Sequence, residues 1–391
     1  MNAPARRSRL IIDGTVLVDP HFSGIGHYTM SLLQALDEIV ADESDIDLRL
    51  AVPMRQLGKL ARFHLRRIRP LAVPMTYRTM RRLVEQQRLP KMDRICGRGI
   101  YFFPNYVRWP LASSSSITAV HDLSFDKVPD TVDGPNALFL RREVRKSVEM
   151  SDLVTALTTT MADDIAEHYL IARAKVHIVG CGTDRRRFYK RSDREVSAVT
   201  RAHGVFGDYV ITVGNIEPRK NQVRLVDAFC ALPRELTDPL TLVLVGAGAW
   251  NEALIHARVD SALAAGFKVK LLLGSVSDDD LPALYSGARC SVFISVYEGF
   301  GMPPLESMAC QTPVVNSSRS VMPEVAGGAT LLVDPLDPAS ITAGLEQMLR
   351  LDPVARQDLV ARGLSNVDRH QWPAAAGALL RAVRSVGAVR S

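Results

Sequence analysis

Short apolar runs alternate with longer amphipathic stretches along most of the chain, and Gly, Pro or Asp residues bound many of the runs. Runs of this length are typical of buried strands. In the first half, the predicted strands are Leu10–Asp13, Leu48–Val52, Ile100–Phe103, Ile117–Val120, Leu153–Leu157 and Val176–Val179. In the second half, they are Tyr209–Val213, Leu240–Val245, Val269–Leu273, Ser291–Ser295, Val314–Asn316 and Thr330–Val333. Repeated strand–helix alternation predicts an α/β protein with two Rossmann-like domains, each built on a parallel sheet.

The chain of 391 residues has the length of about two domains. We predict an N-terminal domain over residues 1–190, a second domain over 205–370, and a terminal helix over 371–391 that crosses back to the first domain. The polar, Arg-rich stretch from Thr183 to Gly207 is the predicted join. In open parallel sheets, ligands bind outside the carboxyl ends of the strands, so motifs that follow strands are the candidate site residues.

The most informative of these motifs is Glu298–Glu306, which reads Glu-Gly-Phe-Gly-Met-Pro-Pro-Leu-Glu. Its glycines let the backbone approach a ligand, and a helix that opens near Pro303 offers N–H donors to an anion. Glu306 falls about two helical turns after Glu298, so both carboxylates can line one wall of a site. Carboxylates beside amide donors suit a ligand with hydroxyls and phosphates, such as a nucleotide sugar. The alternative is a glycine turn with solvated acids.

The spacing of the two acids resembles the Glu-x7-Glu signature of family 4 of the retaining glycosyltransferases. These enzymes have the GT-B fold, in which two Rossmann-like domains face each other across a cleft. The resemblance implies that Glu298 holds hydroxyls of the transferred sugar and that Glu306 binds the ribose diol of the nucleotide. It also implies donor contacts along the turn between them, from Gly299, Phe300, Gly301, Met302 and Leu305.

A second motif, Val213–Asn221, follows the first strand of the second domain and carries Arg219 and Lys220. Arg supplies a planar fork and Lys a point charge, and together they can clamp a pyrophosphate. The alternative is an exposed basic turn. The segment resembles the family's donor-phosphate motif, with Lys220 as the matching lysine. Many members carry Arg where this chain has Asn215, and we expect Arg219 to supply that charge instead.

Two motifs of the first half are similar to family motifs as well. Phe22–Tyr28 contains a Gly-x-Gly that begins at Gly24 and opens a helix, so the resemblance implies that Gly24 contacts donor phosphates. Ala119–Phe125 contains His121 and Asp122. A lone His is usually structural, but this one resembles the His-Asp motif whose histidine faces the transferred sugar. We interpret Asp122 either as orienting His121 or as capping the next segment.

Three consecutive aspartates, Asp278–Asp280, invite comparison with the metal-binding Asp-x-Asp of GT-A enzymes. Ser277 or Asp278 placed before Leu281 is also an ordinary helix N-cap with acids in the first turn, and we favour that interpretation. We therefore predict no metal and no cofactor; the nucleotide sugar is a substrate. The family resemblance places Val276 and Asp278 beside the nucleotide base.

Bulk composition is ordinary for a soluble protein, with 47% hydrophobic and 23% charged residues. No apolar run approaches the ~18–20 residues of a membrane span. The basic start of the chain is followed by Asp13 and Gly14, so no signal peptide is predicted. The five cysteines are widely spaced without a Cys-x-x-Cys pair, which favours neither a disulfide framework nor a zinc site. A reducing, cytoplasmic location fits best.

The net charge of +6 is unevenly distributed. Between Arg55 and Arg98 stand thirteen bases against Glu85 and Asp93, a local excess of +11. Apolar residues are interleaved with these bases. Such a segment can lie on an anionic membrane surface, here the inner face of the plasma membrane, or it is a solvated helix face. We expect no nucleic acid partner, because no zinc, helix-turn-helix or RNP-type motif accompanies the bases.

The resemblance covers almost the whole chain and implies a metal-independent retaining hexosyltransferase. Its donor is a nucleotide sugar, and its acceptor is a lipid-linked or oligosaccharide glycan that grows during synthesis of a cell-surface polysaccharide such as lipopolysaccharide. The motif variants look most like bacterial mannosyltransferases that use GDP-mannose, although closely similar sequences use other sugars. The alternatives are a GT-B nucleotide-sugar epimerase or hydrolase, and a non-catalytic scaffold that binds glycan or lipid.

Overall fold

The computed structural model describes residues 8–19, 24–40, 46–86, 88–248 and 252–389. The chain divides into two compact units. The first unit takes residues up to 126, residues 135–182 and the segment from 372 onward; the second takes 127–134 and 183–371.

The first unit is built on seven parallel strands in the order β3-β2-β1-β4-β5-β6-β7. Their bounds are β1 Ser8–Asp13, β2 Ile46–Pro53, β3 Arg69–Val73, β4 Ile100–Phe103, β5 Ser115–Ala119, β6 Leu153–Ala156 and β7 Val176–Ile178. Six of them were predicted and are confirmed. β3 was missed because it is an edge strand with one buried residue, Val73, and its short apolar run follows Pro70 inside a strongly basic stretch.

Helices of the first unit include a long N-terminal helix that packs along the last helix of the chain. Their bounds are α1 Thr15–Val18, α2 Gly24–Ile39, α3 Tyr77–Glu85, α4 Ser124–Lys127, α5 Gly134–Met150, α6 Thr159–Tyr169 and α16 Trp372–Val389. The predicted helix Ile25–Ile39 is α2. Leu32, Leu33 and Leu36 form its buried face, and the contact between α2 and α16 ties the end of the chain to this unit.

The second unit has six parallel strands in the order β10-β9-β8-β11-β12-β13. They are β8 Asp208–Val213, β9 Leu240–Gly246, β10 Val269–Leu273, β11 Cys290–Phe293, β12 Val314–Ser317 and β13 Leu331–Val333. The helices are α7 Asp193–Ala202, α8 Gln222–Cys230, α9 Arg234–Thr237, α10 Ala253–Ala264, α11 Leu281–Gly287, α12 Met302–Ala309, α13 Met322–Ala326, α14 Pro338–Leu349 and α15 Pro353–Val367. All six strands were predicted.

The stretch predicted as a polar join is partly helical. α7 begins at a capping box in which Ser192 accepts from the Glu195 backbone and Glu195 accepts from Ser192. α7 packs against α11, so this stretch belongs to the second unit. Its charged sequence concealed the helix because none of its residues is fully buried.

The basic segment Arg55–Arg98 is not one amphipathic helix. It comprises a 3-10 stretch over Met54–Phe63, the edge strand β3, α3 and a short 3-10 turn over Met92–Arg94. Eight of its apolar side chains are at most 7% exposed: Leu60, Phe63, Ile68, Val73, Met80, Leu89, Met92 and Cys96. These side chains are not available to a membrane surface, so docking would rest mainly on the exposed bases, with Ile95 as an apolar side chain that is 38% exposed. Among the described helices, none is both long and apolar enough to cross a membrane.

The strand orders fix where a ligand can bind. In each sheet the order reverses beside the first strand, between β1 and β4 in one unit and between β8 and β11 in the other. A reversal separates the loops that leave the two neighbouring strands and opens a crevice at their carboxyl ends. In the second unit those loops are the ones after Val213 and after Phe293. The two motifs predicted to bind the donor therefore lie at the same crevice.

Candidate active site

Glu298 lies in the loop after β11 and contacts both bases that follow β8. Nη1 of Arg219 is 2.7 Å from Oε2 of Glu298, and Nζ of Lys220 is 2.5 Å from Oε1. Arg219 also donates through Nη2 to Glu217, at 2.8 Å. Two motifs that the sequence analysis treated separately are thus one ion-pair cluster.

The cluster keeps Glu298 ionised. The residue is 7% exposed, and burial alone would raise its pKa. The charges of Arg219 and Lys220, with hydrogen bonds from Lys220 and Ser295, outweigh burial and lower the pKa of Glu298 to about 2. Two cations and a permanent anion therefore meet at the crevice. Any anion that bound Arg219 and Lys220 would have to compete with Glu298 for them.

The glycine turn after Glu298 has a conformation that requires glycine at Gly301. Its φ is +86°, and an added Cβ would lie 2.9 Å from the sulfur of Met322. α12 begins at the next residue, Met302, and its second and third residues are Pro303 and Pro304. Because proline has no N–H, the amide donors that the sequence predicted at this helix start are confined to the turn Gly299–Met302.

The side chains in and after the turn differ in burial and in what they contact. Phe300 is 5% exposed and packs edge-on against His370, with ring centroids 5.7 Å apart. Leu305 is 1% exposed, so its side chain belongs to the core of the unit. Ser320, which the sequence analysis did not single out, donates through Oγ to the carbonyl oxygen of Glu298 at 2.6 Å. These contacts hold the turn that carries the catalytic candidate.

Glu306 occupies a different environment from Glu298. It lies in the second turn of α12, where the hydroxyl of Tyr285 is 3.4 Å from its Oε2. Burial raises the pKa of Glu306 to about 7, against the opposing effects of Arg187 and Tyr285. Asp278 adds to the rise. The two glutamates of the motif thus have opposite pKa shifts because only one of them has cations in direct contact.

The loop predicted to contact the nucleotide base is held by Arg187. Its Nε and Nη2 donate to the backbone carbonyl of Asp278 at 3.0 and 2.7 Å, and Nη2 lies 3.1 Å from the Asp278 carboxylate. Val276 is half-buried in the same loop. Arg187 therefore acts on both nucleotide-binding candidates: it fixes the Asp278 loop and it opposes the rise in the Glu306 pKa.

The three aspartates do not converge. Asp278 faces Arg187, whereas the carboxylate of Asp280 is 3.1 Å from Nε2 of His203. Ser277 accepts a hydrogen bond from the Asp280 backbone at 3.1 Å in the turn that precedes α11, whereas the N-cap residue of α11 is Asp280, which makes no side-chain cap hydrogen bond. In the ranges that the structure describes, no three His, Cys, Asp or Glu side chains are grouped so that they could hold a metal ion.

His121 follows β5 in the first unit and is 7% exposed. Its Nε2 is 2.5 Å from the carbonyl oxygen of Pro104. Because a carbonyl only accepts, Nε2 must carry the hydrogen, which leaves Nδ1 as an acceptor in the neutral ring. Burial lowers the pKa of His121 and favours this neutral form. Tyr28 and Tyr106 pack edge-on against the ring, at 4.9 and 5.4 Å.

Asp122 caps the next segment. Its Oδ1 accepts from the backbone and the hydroxyl of Ser124, at 2.9 and 2.8 Å. The His121 ring is held by the Pro104 carbonyl, and Asp122 acts on it through its charge, which opposes the fall in the His121 pKa. Gly24 is the first residue of α2, as predicted, and an added Cβ there would meet nothing within 4 Å. Phe22 and Ser23 of the same motif lie outside the described residues.

The predicted site residues divide between the two units. Gly24 and His121 belong to the first unit, and every other candidate belongs to the second. Sequence reasoning missed Glu217, Arg187, Tyr285 and Ser320. Arg187 stands among several arginines and Tyr285 sits inside an ordinary helix, so neither carries a local signal of its contacts.

Comparison with known proteins agrees with this geometry. Residues 201–363 match the family described as glycosyl transferases group 1. The chain is 31% identical, over 276 residues, to the O-antigen chain mannosyltransferase B of Escherichia coli, covering 70% of this chain and 71% of that protein. It is 29% identical to the O-antigen chain mannosyltransferase RfbU of Salmonella typhimurium, over 65% of this chain and 66% of that protein.

The fold has solved counterparts. The structure of Anabaena HepE in complex with UDP-glucose superposes with a TM-score of 0.74 at 14% identity, covering 97% of this chain and 100% of that one. The sucrose-phosphate synthase of Thermosynechococcus elongatus gives a TM-score of 0.70 at 20% identity, covering 98% and 100%. Two Rossmann-like units on parallel sheets and a sequence likeness that extends over two thirds of a known relative lead to one conclusion: this chain belongs to the group 1 glycosyl transferases and has the GT-B fold.

Proposed function

We propose that this glycosyltransferase moves mannose from GDP-mannose to a growing lipid-linked glycan of a cell-surface polysaccharide. The observation that carries the donor class is the ion-pair cluster of Arg219, Lys220 and Glu298 at the crevice between β8 and β11. The names of the two most informative relatives, both O-antigen mannosyltransferases, support the sugar and the type of product.

In this proposal the basic pair acts on the leaving group. Arg219 and Lys220 bind the diphosphate of the donor, with help from the amides of Gly299–Met302. Negative charge grows on the departing diphosphate as the sugar–phosphate bond breaks, so both cations bind the transition state more strongly than the ground state. Glu298, released from the cations, becomes free to accept hydrogen bonds from the sugar hydroxyls.

Glu306 and the loop at Asp278 bind the nucleoside part. A carboxylate accepts two hydrogen bonds from a ribose diol well, and Glu306 lies on the same helix as the donor turn. Val276 and Asp278 contact the base from a loop that Arg187 holds. His121 and Gly24 keep the roles that the family resemblance implies, contacts to the sugar and to the phosphates respectively.

We infer that the reaction retains the anomeric configuration and needs no metal, since two cations can neutralise the diphosphate. Activity should survive excess EDTA; loss that only Mg²⁺ or Mn²⁺ restores would reject this mechanism. NMR of the product tests retention. The transferred sugar should have the same anomeric configuration in the product as in the donor.

The decisive experiment offers the purified protein a panel of nucleotide sugars with and without a membrane lipid extract. GDP release that requires both GDP-mannose and lipid supports the proposal. Release or isomerisation without lipid indicates an epimerase or hydrolase, and no turnover under any condition indicates a non-catalytic scaffold. Comparing the thermal stabilisation by GDP with that by UDP identifies the base beforehand, because a ligand that binds the native state stabilises it by RT ln(1 + [L]/Kd).

A further inference from the structure

Two adjoining cavities lie between α3 and α5 in the first unit. The outer cavity, of about 460 Å³, is open to solvent, and Arg88, Arg142 and Lys146 line it together with Glu85. The inner cavity, of about 140 Å³, shares Lys146 with it. Val84, Leu89, Val107 and Met150 form most of the apolar wall of the inner cavity.

The charge around the cavities is positive. Glu143, the acid of the inner cavity, has a side chain only 2% exposed, and it pairs with Arg142 at 2.5 Å and Lys146 at 3.4 Å. Arg108 also lines the inner cavity, where burial lowers the pKa of its guanidinium. Four basic side chains line the cavities against Glu85 and Glu143. Asp152, outside the lining, partly offsets the charge of Arg108, so the excess of positive charge lies at Arg88, Arg142 and Lys146.

These cavities are separate from the candidate active site. Arg108 donates through Nε to Ser116, the second residue of β5, at 2.8 Å, which places the inner cavity near the amino end of that strand. His121 follows the carboxyl end of the same strand. Ser116 and His121 are five positions apart, and a fully extended chain of that length spans roughly 16 Å. A ligand in the cavities would therefore lie near the amino end of β5, whereas His121 lies at its carboxyl end.

We propose that this pair of cavities binds an anionic phospholipid, with the phosphate among Arg88, Arg142 and Lys146 and the first carbons of an acyl chain against the apolar wall. The basic side chains and the apolar wall together indicate this class of ligand. A free anion would make no use of the apolar wall, and a neutral hydrocarbon would make no use of the basic side chains. A phosphate group joined to a hydrocarbon chain matches both.

Binding of monomeric short-chain phosphatidylglycerol to the full chain tests this directly. Calorimetry measures the affinity for the lipid in the presence of saturating GDP. The donor site is then occupied, and the result does not depend on transfer activity. Inorganic phosphate offers the charge alone, and short-chain phosphatidylcholine offers the same chains without net charge. We expect phosphatidylglycerol to bind about tenfold or more tightly than either, the difference expected when one charged contact or one buried chain segment is lost.

Matched variants locate the site. Arg88→Gln should weaken phosphatidylglycerol binding about tenfold, whereas Arg94→Gln, an exposed arginine of the same segment that lines neither cavity, should leave it unchanged. Met150→Gln, at a residue 59% exposed, should weaken lipid binding but not phosphate binding. Equal affinities of the two arginine variants, phosphate binding as tight as lipid binding, or displacement of the lipid by GDP would each overturn the proposal.

Discussion

The guanidinium of Arg219 and the carboxylate of Glu298 are joined by a 2.7 Å ion pair, although 79 positions separate the two residues in the sequence. Both side chains are at most 15% exposed, so little water screens the pair. The contact gives Glu298 a second function besides the one that the family resemblance implies. It holds the side chains of Arg219 and Lys220 in place, and under the proposed function it competes with the diphosphate for them.

The first prediction concerns the variant Glu298→Gln. Transfer should fall about 100-fold or more, the loss typical of removing one transition-state contact. Affinity for GDP should rise, because Arg219 and Lys220 no longer have an anionic partner to release. Titration of the variant with GDP by calorimetry measures this. Asp334→Asn, which breaks the exposed pair with Arg319, is the control and should change neither quantity. A lower GDP affinity in Glu298→Gln would show that Glu298 binds the nucleotide itself.

The second prediction uses the pKa of Glu306, raised to about 7. If the ionised carboxylate binds the ribose diol, GDP affinity should rise about tenfold between pH 6 and pH 8, as the group loses its proton. In Glu306→Gln the carboxyl group is gone, and the GDP phosphate still titrates. The GDP affinity of this variant should therefore depend less steeply on pH than that of the wild type. Parallel pH curves for both proteins would exclude Glu306 from nucleotide binding.

The same raised pKa has a consequence for stability. The folded state binds the Glu306 proton more tightly than the unfolded state, so the stabilisation is present below about pH 4.5 and is lost as the pH rises through about 7. The free energy of unfolding of the wild type should therefore fall relative to Glu306→Gln over that range, by up to about 3 kcal/mol. Urea unfolding at pH 5 and pH 8 measures the difference.

The third prediction is that Arg187 positions the nucleotide loop. Arg187→Gln removes two donors to the Asp278 carbonyl, and the Kd for GDP should rise about 5- to 30-fold while kcat changes little. Arg187→Lys should recover only part of the affinity, because a point charge cannot replace two donors in a fixed plane. Arg194→Gln, on the nearby exposed face of α7, is the matched control. A fall in kcat with unchanged Kd would contradict the positioning role.

The fourth prediction tests electrostatic docking of the basic segment to a membrane. Arg62 and Arg67 donate to the backbone carbonyls of Leu17 and Asp37, so their loss would also disturb the fold. We therefore choose four other exposed bases for neutralisation to Gln: Arg66, Arg69, Arg78 and Arg82. Each exposed base near an anionic surface contributes ~1 kcal/mol, so this variant should leave anionic vesicles in sedimentation assays.

The control for this experiment removes the same charge from the second unit, at Arg194, Arg201, Arg289 and Arg369. Binding of the wild type should require acidic headgroups and fall steeply with salt, because exposed charges are screened over ~8 Å at physiological ionic strength. Equal sedimentation with neutral vesicles, or equal loss in both quadruple variants, would rule out docking through this segment.

The sequence by itself determined the two parallel sheets and the loops that carry the chemistry. Apolar runs report buried strands, and glycine, proline and acidic residues report turns and helix starts, because both kinds of signal act within a few residues. Glu298 and Lys220 were therefore predicted from their own neighbours in the chain, whereas His121 was predicted from its resemblance to a family motif. β3 and α7 were missed because β3 has a short apolar run next to prolines and α7 is largely polar and has no buried residue.

Tertiary structure alone decided what each of these residues contacts. Glu298 meets Arg219 and Lys220 because β8 and β11 are neighbours at the point where the strand order reverses. Glu306 has the opposite pKa shift because α12 turns it toward Tyr285 instead of toward the cations. Ion pairing and desolvation depend on distances between residues that are far apart in the chain. The order of residues along the chain does not specify those distances.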